Sequence, residues 1–367
     1  HLCAYGLYAP INEMYLRGLG VQTILGGEFE QGLVNLYNCL VGGRPIELPT
    51  ISLARQQFLP PDRSGLPHLE VYAHLTGTDG GQKVVGYTEA SRGCKHTCRH
   101  CPIVPVYNGR FRIIQPDIVL ADIRQQVAAG AQHITFGDPD FLNGPAHALR
   151  IVEALHSEFP DVTYDATIKV EHLLKHARLL PYLRDTGCLF VTSAVESVDD
   201  AILQIFDKGH TRADFVRVVN LLHEVGLALN PTFVAFSPWM TSYGYADLLA
   251  MIAELRLIDH VTPIQYAIRL LIPAESKLLA LAEVRALVRP FDDAALVYPW
   301  NHPQPQVDWL YESIFKLVKA SQTGGESRRI LFARIWQMLA GILGEQMPKR
   351  PADVSVLAVP MLSEDWY

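Results

Sequence analysis

From Val84 onward the chain alternates short β-branched runs with stretches of helical periodicity, and no other feature of the sequence narrows the choice of fold as far. The runs are 84–88, 133–136, 163–168, 189–194, 227–235 and 264–271. Strands separated each time by a helix pair in parallel through right-handed crossovers. Punctuation agrees with this reading. Pro116-Asp117 opens one helix and Gly130 closes it, and Asp199-Asp200 opens another. Six such βα units predict an α/β fold, a partial (βα)6 barrel, whose functional groups gather at the carboxyl ends of the strands.

The flanks differ in character. Residues 1–44 read as the end of a smaller α/β domain, with a strand at 21–25 and a helix at 29–40. Residues 45–82 hold Pro45, Pro49, Pro60, Pro61 and Pro67 with little periodicity and read as a linker, so that 83–278 is the barrel. Residues 279–367 read as a helical C-terminal region, with Trp309, Phe315 and Leu317, then Ile330, Trp336 and Leu339, as its apolar positions. The first residues, His1-Leu2-Cys3-Ala4-Tyr5-Gly6, look like a strand already under way, and the last stop on Trp366-Tyr367. Both ends are therefore expected to continue into further sequence.

Composition excludes several classes. At 367 residues and 49% hydrophobic content the chain can bury a substantial core. A net charge of −7 does not suit a surface built to neutralise phosphates, so a nucleic-acid partner is not expected. No apolar run reaches the roughly 18 to 20 residues that a membrane span needs, and no charged-then-apolar leader opens the chain, which predicts a cytoplasmic protein.

Of six cysteines, three crowd into Cys94-Lys95-His96-Thr97-Cys98-Arg99-His100-Cys101, directly after the first barrel strand, while Cys3, Cys39 and Cys188 stand alone and are expected in the core. Six cysteines do not make a disulfide framework in a chain this long, and the clustering points to metal. A C-x3-C-x2-C loop offers three thiolates to three corners of an iron–sulfur cubane and leaves the fourth iron open to another ligand. The competing reading is zinc, with His96 or His100 completing a four-ligand set. Structural zinc usually draws its ligands from two separated pairs, and a second pair is absent.

The motif, its placement and the elements downstream resemble the radical S-adenosylmethionine (SAM) superfamily, over roughly residues 83 to 275. The resemblance implies a [4Fe-4S] cluster on Cys94, Cys98 and Cys101, with SAM on its open iron. Phe136-Gly137-Asp138-Pro139-Asp140-Phe141 resembles the Gly-Gly-Glu element that receives the SAM amino group, with Asp138 or Asp140 in the acidic position. Ser193-Ala194-Val195-Glu196-Ser197 is similar to the G-x-E-S element, which places Glu196 near the ribose or the amino-acid end of SAM, and Lys208-Gly209-His210-Thr211 resembles the K-G-H-T that follows. Ile268-Arg269-Leu270 is similar to the last SAM-contacting strand, where Arg269 either meets a carboxylate or is a surface side chain. His100 holds the position of an aromatic residue near adenine, and Lys169 either pairs with the SAM carboxylate or caps a helix.

Residues 5–9 and 25–30 resemble the last part of the Rossmann-like domain of cobalamin-binding-domain radical SAM proteins, although the Asp-x-His-x-x-Gly signature of a cobalamin-ligating histidine is absent. The resemblance thus admits cobalamin without supplying its ligand. Residues 236–241, 298–303 and 362–367 resemble a group named for a Cys-Cys-Ala-Glu-Pro or selenocysteine tail and related to arsenic natural-product enzymes. The implied activity is reductive cleavage of SAM to modify a small molecule by radical chemistry, fed by an external donor of flavodoxin or ferredoxin type. Two alternatives stand beside it: transfer of the 3-amino-3-carboxypropyl group to a soft acceptor such as trivalent arsenic, as in the arsinothricin-forming relative, and a non-catalytic iron–sulfur or zinc protein.

Overall fold

In a computed structural model of the chain, residues 1–77, 80–351 and 359–363 are described. They divide into two compact units: residues 1–59, 91–114 and 271–301 form one, and 60–90, 115–270 and 302–367 the other. Glu364 to Tyr367, part of the tail resemblance, lie outside the described residues.

The larger unit is built on a seven-stranded sheet. Five strands run parallel in sequence order: Gln82–Thr88, His133–Phe136, Thr163–Thr167, Cys188–Glu196 and Ala228–Phe233. Every residue of His133–Phe136 is buried, as expected of a parallel strand covered on both faces. His74–Thr76 and then Met361–Leu362 add antiparallel strands at the outer edge. The sheet is the curled half-barrel expected. Two of its helices begin where the sequence signals them, at Pro116 in the first helical position and at Asp199, whose side chain accepts from the Ala201 and Ile202 amides, and a third begins at Pro145.

The sixth βα unit departs from expectation. Residues 263–266 form a 3-10 turn, and only Arg269 bridges the sheet, in parallel, to Phe236. The cause is local chemistry. The Phe233 amide, which a sixth strand would have used, donates to the Gln265 side chain at 2.9 Å, and Pro263 has no amide to offer. The C-terminal helices Pro305–Gly324 and Arg328–Leu343 exist, but the inward face of the first is Val307, Leu310, Ile314 and Val318, while Trp309 is 56% exposed. A large aromatic there misled the reading of helical phase.

The smaller unit holds three parallel strands, Cys3–Tyr5, Thr23–Gly27 and Ile51–Ser52, with the helices Tyr8–Ile11, Glu13–Gly18 and Glu30–Val41. The proline-rich segment thus contributes one strand to this unit and another, His74–Thr76, to the barrel sheet. Of the isolated cysteines only Cys188 is fully buried; Cys3 and Cys39 are half-buried.

Candidate active site

The cysteine motif lies in the smaller unit on a closed hairpin. Ser91–Gly93 pairs antiparallel with Phe111–Ile113, Gly93 opposite Phe111, and the loop between them contains the short helix Val104–Tyr107. Gly93 has φ +75°, and a Cβ on it would lie 2.3 Å from the Tyr107 ring and 2.6 Å from the Arg110 carbonyl, so only glycine fits. The hairpin is tied down from several sides. Tyr107 donates to buried Glu28 at 3.0 Å, Arg112 Nε donates to the Leu53 carbonyl at 2.7 Å, and Arg92 pairs with Glu30. Burial raises the Glu28 carboxyl's pKa, against the lowering effect of the Tyr107 hydroxyl and Arg92.

Within this frame Cys94 and Cys98 are buried and Cys101 half-buried, and the Cys101 amide donates to the Cys98 carbonyl at 3.2 Å, which closes a turn between the last two cysteines. No disulfide joins any of the six cysteines. Ser276 Oγ donates to the Arg99 carbonyl at 3.4 Å, bracing the segment that carries His100. Tyr8 is close enough that the Cys101 sulfur's charge, after burial, raises the phenol's pKa. Three soft donors on one braced loop fit an iron–sulfur cluster with one iron left without a protein thiolate.

The barrel unit gathers the polar residues expected at the carboxyl ends of its strands. After His133–Phe136, Gly137 lies under Tyr87, whose hydroxyl would be 1.8 Å from any Cβ there. The chain then presents two carboxylates. Asp138 Oδ2 accepts from the Ala90 amide at 2.8 Å, and Asp140 accepts from the Leu142 amide at 3.3 Å and lies 2.6 Å from His172 Nδ1. Both are buried. Lys169, also buried, precedes the helix Val170–Lys175 and has its ammonium 3.8 Å from Glu171.

Glu196 ends its strand with φ +67°, a left-handed conformation unusual for a side-chain-bearing residue, at a register shift in the pairing with Ala228–Phe233. Its carboxylate meets Lys208 at 3.3 Å, both side chains largely buried. His210 reaches back to the Val195 carbonyl at 3.2 Å; burial, then the charges of Lys208 and Lys169, push its pKa down to about 4, so it is neutral at pH 7. Ser193 Oγ is fully buried and has no hydrogen-bond partner among the described residues. A buried hydroxyl in that state is suited to a ligand's polar group.

The expected barrel residues Gly137, Asp138, Asp140, Lys169, Ser193 and Glu196 thus share one strand edge, with charges of both signs held out of water. Arg269 stands apart: its guanidinium pairs with Asp308 at 2.8 Å and lies 4.9 Å from the Tyr311 ring centroid. Two histidines escaped the sequence reading. His172 follows Lys169 by three residues, one helical turn that returns it to the same edge, and His147 contacts the Ala90 carbonyl at 3.1 Å from the helix Pro145–Glu158. Helical spacing from the strand ends was the signal available.

Residues 88–238 match the family described as the radical SAM superfamily. Among curated proteins, the chain is 27% identical over 212 residues to a tRNA-2-methylthio-N(6)-dimethylallyladenosine synthase of Desulfosudis oleivorans, covering 55% of this chain and 44% of that protein. It is 26% identical over 182 residues to a bacteriochlorophyllide d C-12(1)-methyltransferase of Chlorobaculum tepidum, covering 48% and 37%. It therefore spans less than half the length of these relatives. Among solved structures, it is similar to the radical SAM methyltransferase TsrM from Kitasatospora setae with tryptophan and a SAM analogue bound (TM-score 0.60, 19% identity, 78% of this chain and 59% of that one). It is also similar to the cobalamin-dependent SAM radical enzyme OxsB (TM-score 0.61, 12% identity, 93% and 66%). At these identities the two structures establish the fold. Among the described residues, no helix is long and apolar enough to cross a membrane.

Proposed function

The chain carries a radical SAM domain over residues 88–238, and from that premise we propose that it reductively cleaves SAM to modify a small molecule by radical chemistry. The observation that carries the proposal is the Cys94, Cys98 and Cys101 hairpin, closed by Gly93 and braced through Tyr107 and Arg112. When bound, the cluster supplies one electron to the sulfonium of SAM.

The protein's own part is to hold and orient. Cys94, Cys98 and Cys101 are the cluster ligands, and His100 lies beside the adenine. Asp138 and Asp140, with the Gly137 backbone, receive the ammonium of SAM. Lys169 faces the carboxylate, and Glu196 with Ser193 takes the ribose or the amino-acid end. The buried Lys208 holds the Glu196 carboxylate in place, a charge-assisted contact worth about 1.5 to 3 kcal/mol. Arg269 steadies the sheet's last bridge through Asp308 and acts on SAM only indirectly. A reduced flavodoxin or ferredoxin is the electron source. TsrM and OxsB have been solved with cobalamin bound, and this chain's 367 residues supply no Asp-x-His-x-x-Gly signature for it. A small molecule is favoured over tRNA by the net charge of −7.

Anaerobic incubation with iron, sulfide, reductant and SAM, followed by chromatography of the nucleosides, tests the reading. The expected product is 5'-deoxyadenosine. Accumulation of 5'-methylthioadenosine, enhanced by trivalent arsenic, would replace it with aminocarboxypropyl transfer, and intact SAM after turnover conditions would leave an iron–sulfur protein without this activity.

A further inference from the structure

Charge is spread unevenly over the chain. The smaller unit holds eleven lysines and arginines against eight aspartates and glutamates, a net +3, so the larger unit of this −7 chain carries −10. The excess comes from the cysteine hairpin: residues 91–114 include Arg92, Lys95, Arg99, Arg110 and Arg112 and not one Asp or Glu. Arg92 and Arg112 are engaged at its base, by Glu30 and by the Leu53 carbonyl, and Arg99 is half-buried. Lys95 and Arg110 are exposed.

The fold brings these two cations to one face. Thr97 and Asn108 are exposed beside them, and a Cβ on Gly109 would stand 3.4 Å from the Thr97 methyl and 3.5 Å from the Lys95 carbonyl oxygen, so the stretches 95–97 and 108–110 lie against each other. Gly93 is paired with Phe111, which makes Cys94 and Arg110 the next residues on the two sides of the hairpin. Lys95 follows Cys94 directly, with its ammonium 5.0 Å from the Phe111 ring centroid. The Arg110 side chain has neither an ion pair nor a hydrogen bond among the described residues. Exposed Lys95 and Thr97 are thus the chain neighbours of the buried Cys94 and Cys98, one residue from surface to thiol in each case.

We propose that this face of the hairpin, marked by Lys95 and Arg110, is the docking surface for an acidic one-electron carrier protein. The inference rests on the cluster reading and adds to it the place where the electron enters. The carrier is oxidised by one electron and the cluster reduced by one, and no covalent bond forms. Exposed cations on a hairpin without acidic residues attract an acidic surface and orient it over Cys94 and Cys98, while the net −10 of the larger unit disfavours the same carrier there. A small charged face suits the limited area of a transient electron-transfer complex. A nucleic acid would need a longer cationic track from which to release counterions.

Stopped-flow reduction of the anaerobically reconstituted full chain, by an acidic flavodoxin in its reduced form and separately by dithionite, tests it. With flavodoxin the wild-type rate falls as salt is added. The Lys95→Glu, Arg110→Glu double variant is reduced about tenfold more slowly by flavodoxin at low salt and loses most of the salt dependence, while its iron content and its reduction by dithionite match the wild type. Calorimetric affinity for oxidised flavodoxin weakens in parallel. Should the double variant load less iron, Arg110→Glu alone decides, with a slowing of about threefold. An unchanged flavodoxin rate in these variants, a wild-type rate indifferent to salt, or tight tRNA binding that the double variant abolishes would overturn the proposal. Protein that takes up no iron fails the cluster reading and this inference with it, whereas unchanged flavodoxin rates in iron-loaded variants count against this inference only.

Discussion

Glu196 concentrates more unusual physics than any other residue at the strand edge. It combines a left-handed backbone, a largely buried carboxylate and an ion pair to the buried Lys208. Glu196→Gln should remove the charge from that pair and weaken SAM binding by about 1.5 to 3 kcal/mol while iron content is retained; unchanged SAM affinity in an equilibrium binding assay would remove Glu196 from the site. His210 gives a prediction in pH. Its folded pKa of about 4 lies below the ordinary 6.5, so the unfolded chain binds the extra proton between those values. Stability is whole above about pH 6.5 and falls as pH drops through that window, by about 2 to 3 kcal/mol for this group. The difference in urea midpoint between wild type and His210→Asn should therefore change between pH 6.5 and 4.5, and parallel curves would refute the buried-neutral histidine. The acidic residues at the strand ends were legible through the motif resemblance. Which basic group each one faces was not, because His172 arrives from the helix that follows its strand and Lys208 from the connection between two helices.

At the scale of elements, the cysteine hairpin depends on Gly93. Gly93→Ala must either hold alanine in the left-handed region, at about 1 to 2 kcal/mol, or displace Tyr107, so reconstituted iron should fall well below the wild-type content. Full iron loading in this variant would show that the loop tolerates another shape. The helix Arg212–Val225 begins with a reciprocal capping box between Thr211 and Asp214, and Thr211→Ala should cost about 1 kcal/mol in urea denaturation, a test of whether this K-G-H-T threonine serves only the helix. Five of the six expected strands lie where β-branched runs put them. The sixth was legible only as an apolar run, because the capture of the Phe233 amide by Gln265 is a tertiary event that periodicity does not encode. Likewise the apolar face of Pro305–Gly324 follows Val307, Leu310, Ile314 and Val318 at helical spacing, and the exposed Trp309 drew attention to the wrong phase.

For the whole molecule, the curled parallel sheet, the cysteine hairpin and the family match at 88–238 converge on one chemistry, whereas the substrate is decided by loops and cavities whose shapes emerge only on folding. The central claim is that three thiolates hold a cluster with one iron accessible to SAM. Electron paramagnetic resonance of the anaerobically reconstituted, reduced protein with and without SAM tests it most directly. The account predicts about four irons per chain and a reduced-cluster signal that changes on adding SAM, both lost in Cys98→Ala. A signal indifferent to SAM, or an intact SAM-responsive cluster in the Cys94, Cys98, Cys101 triple alanine variant, would contradict it.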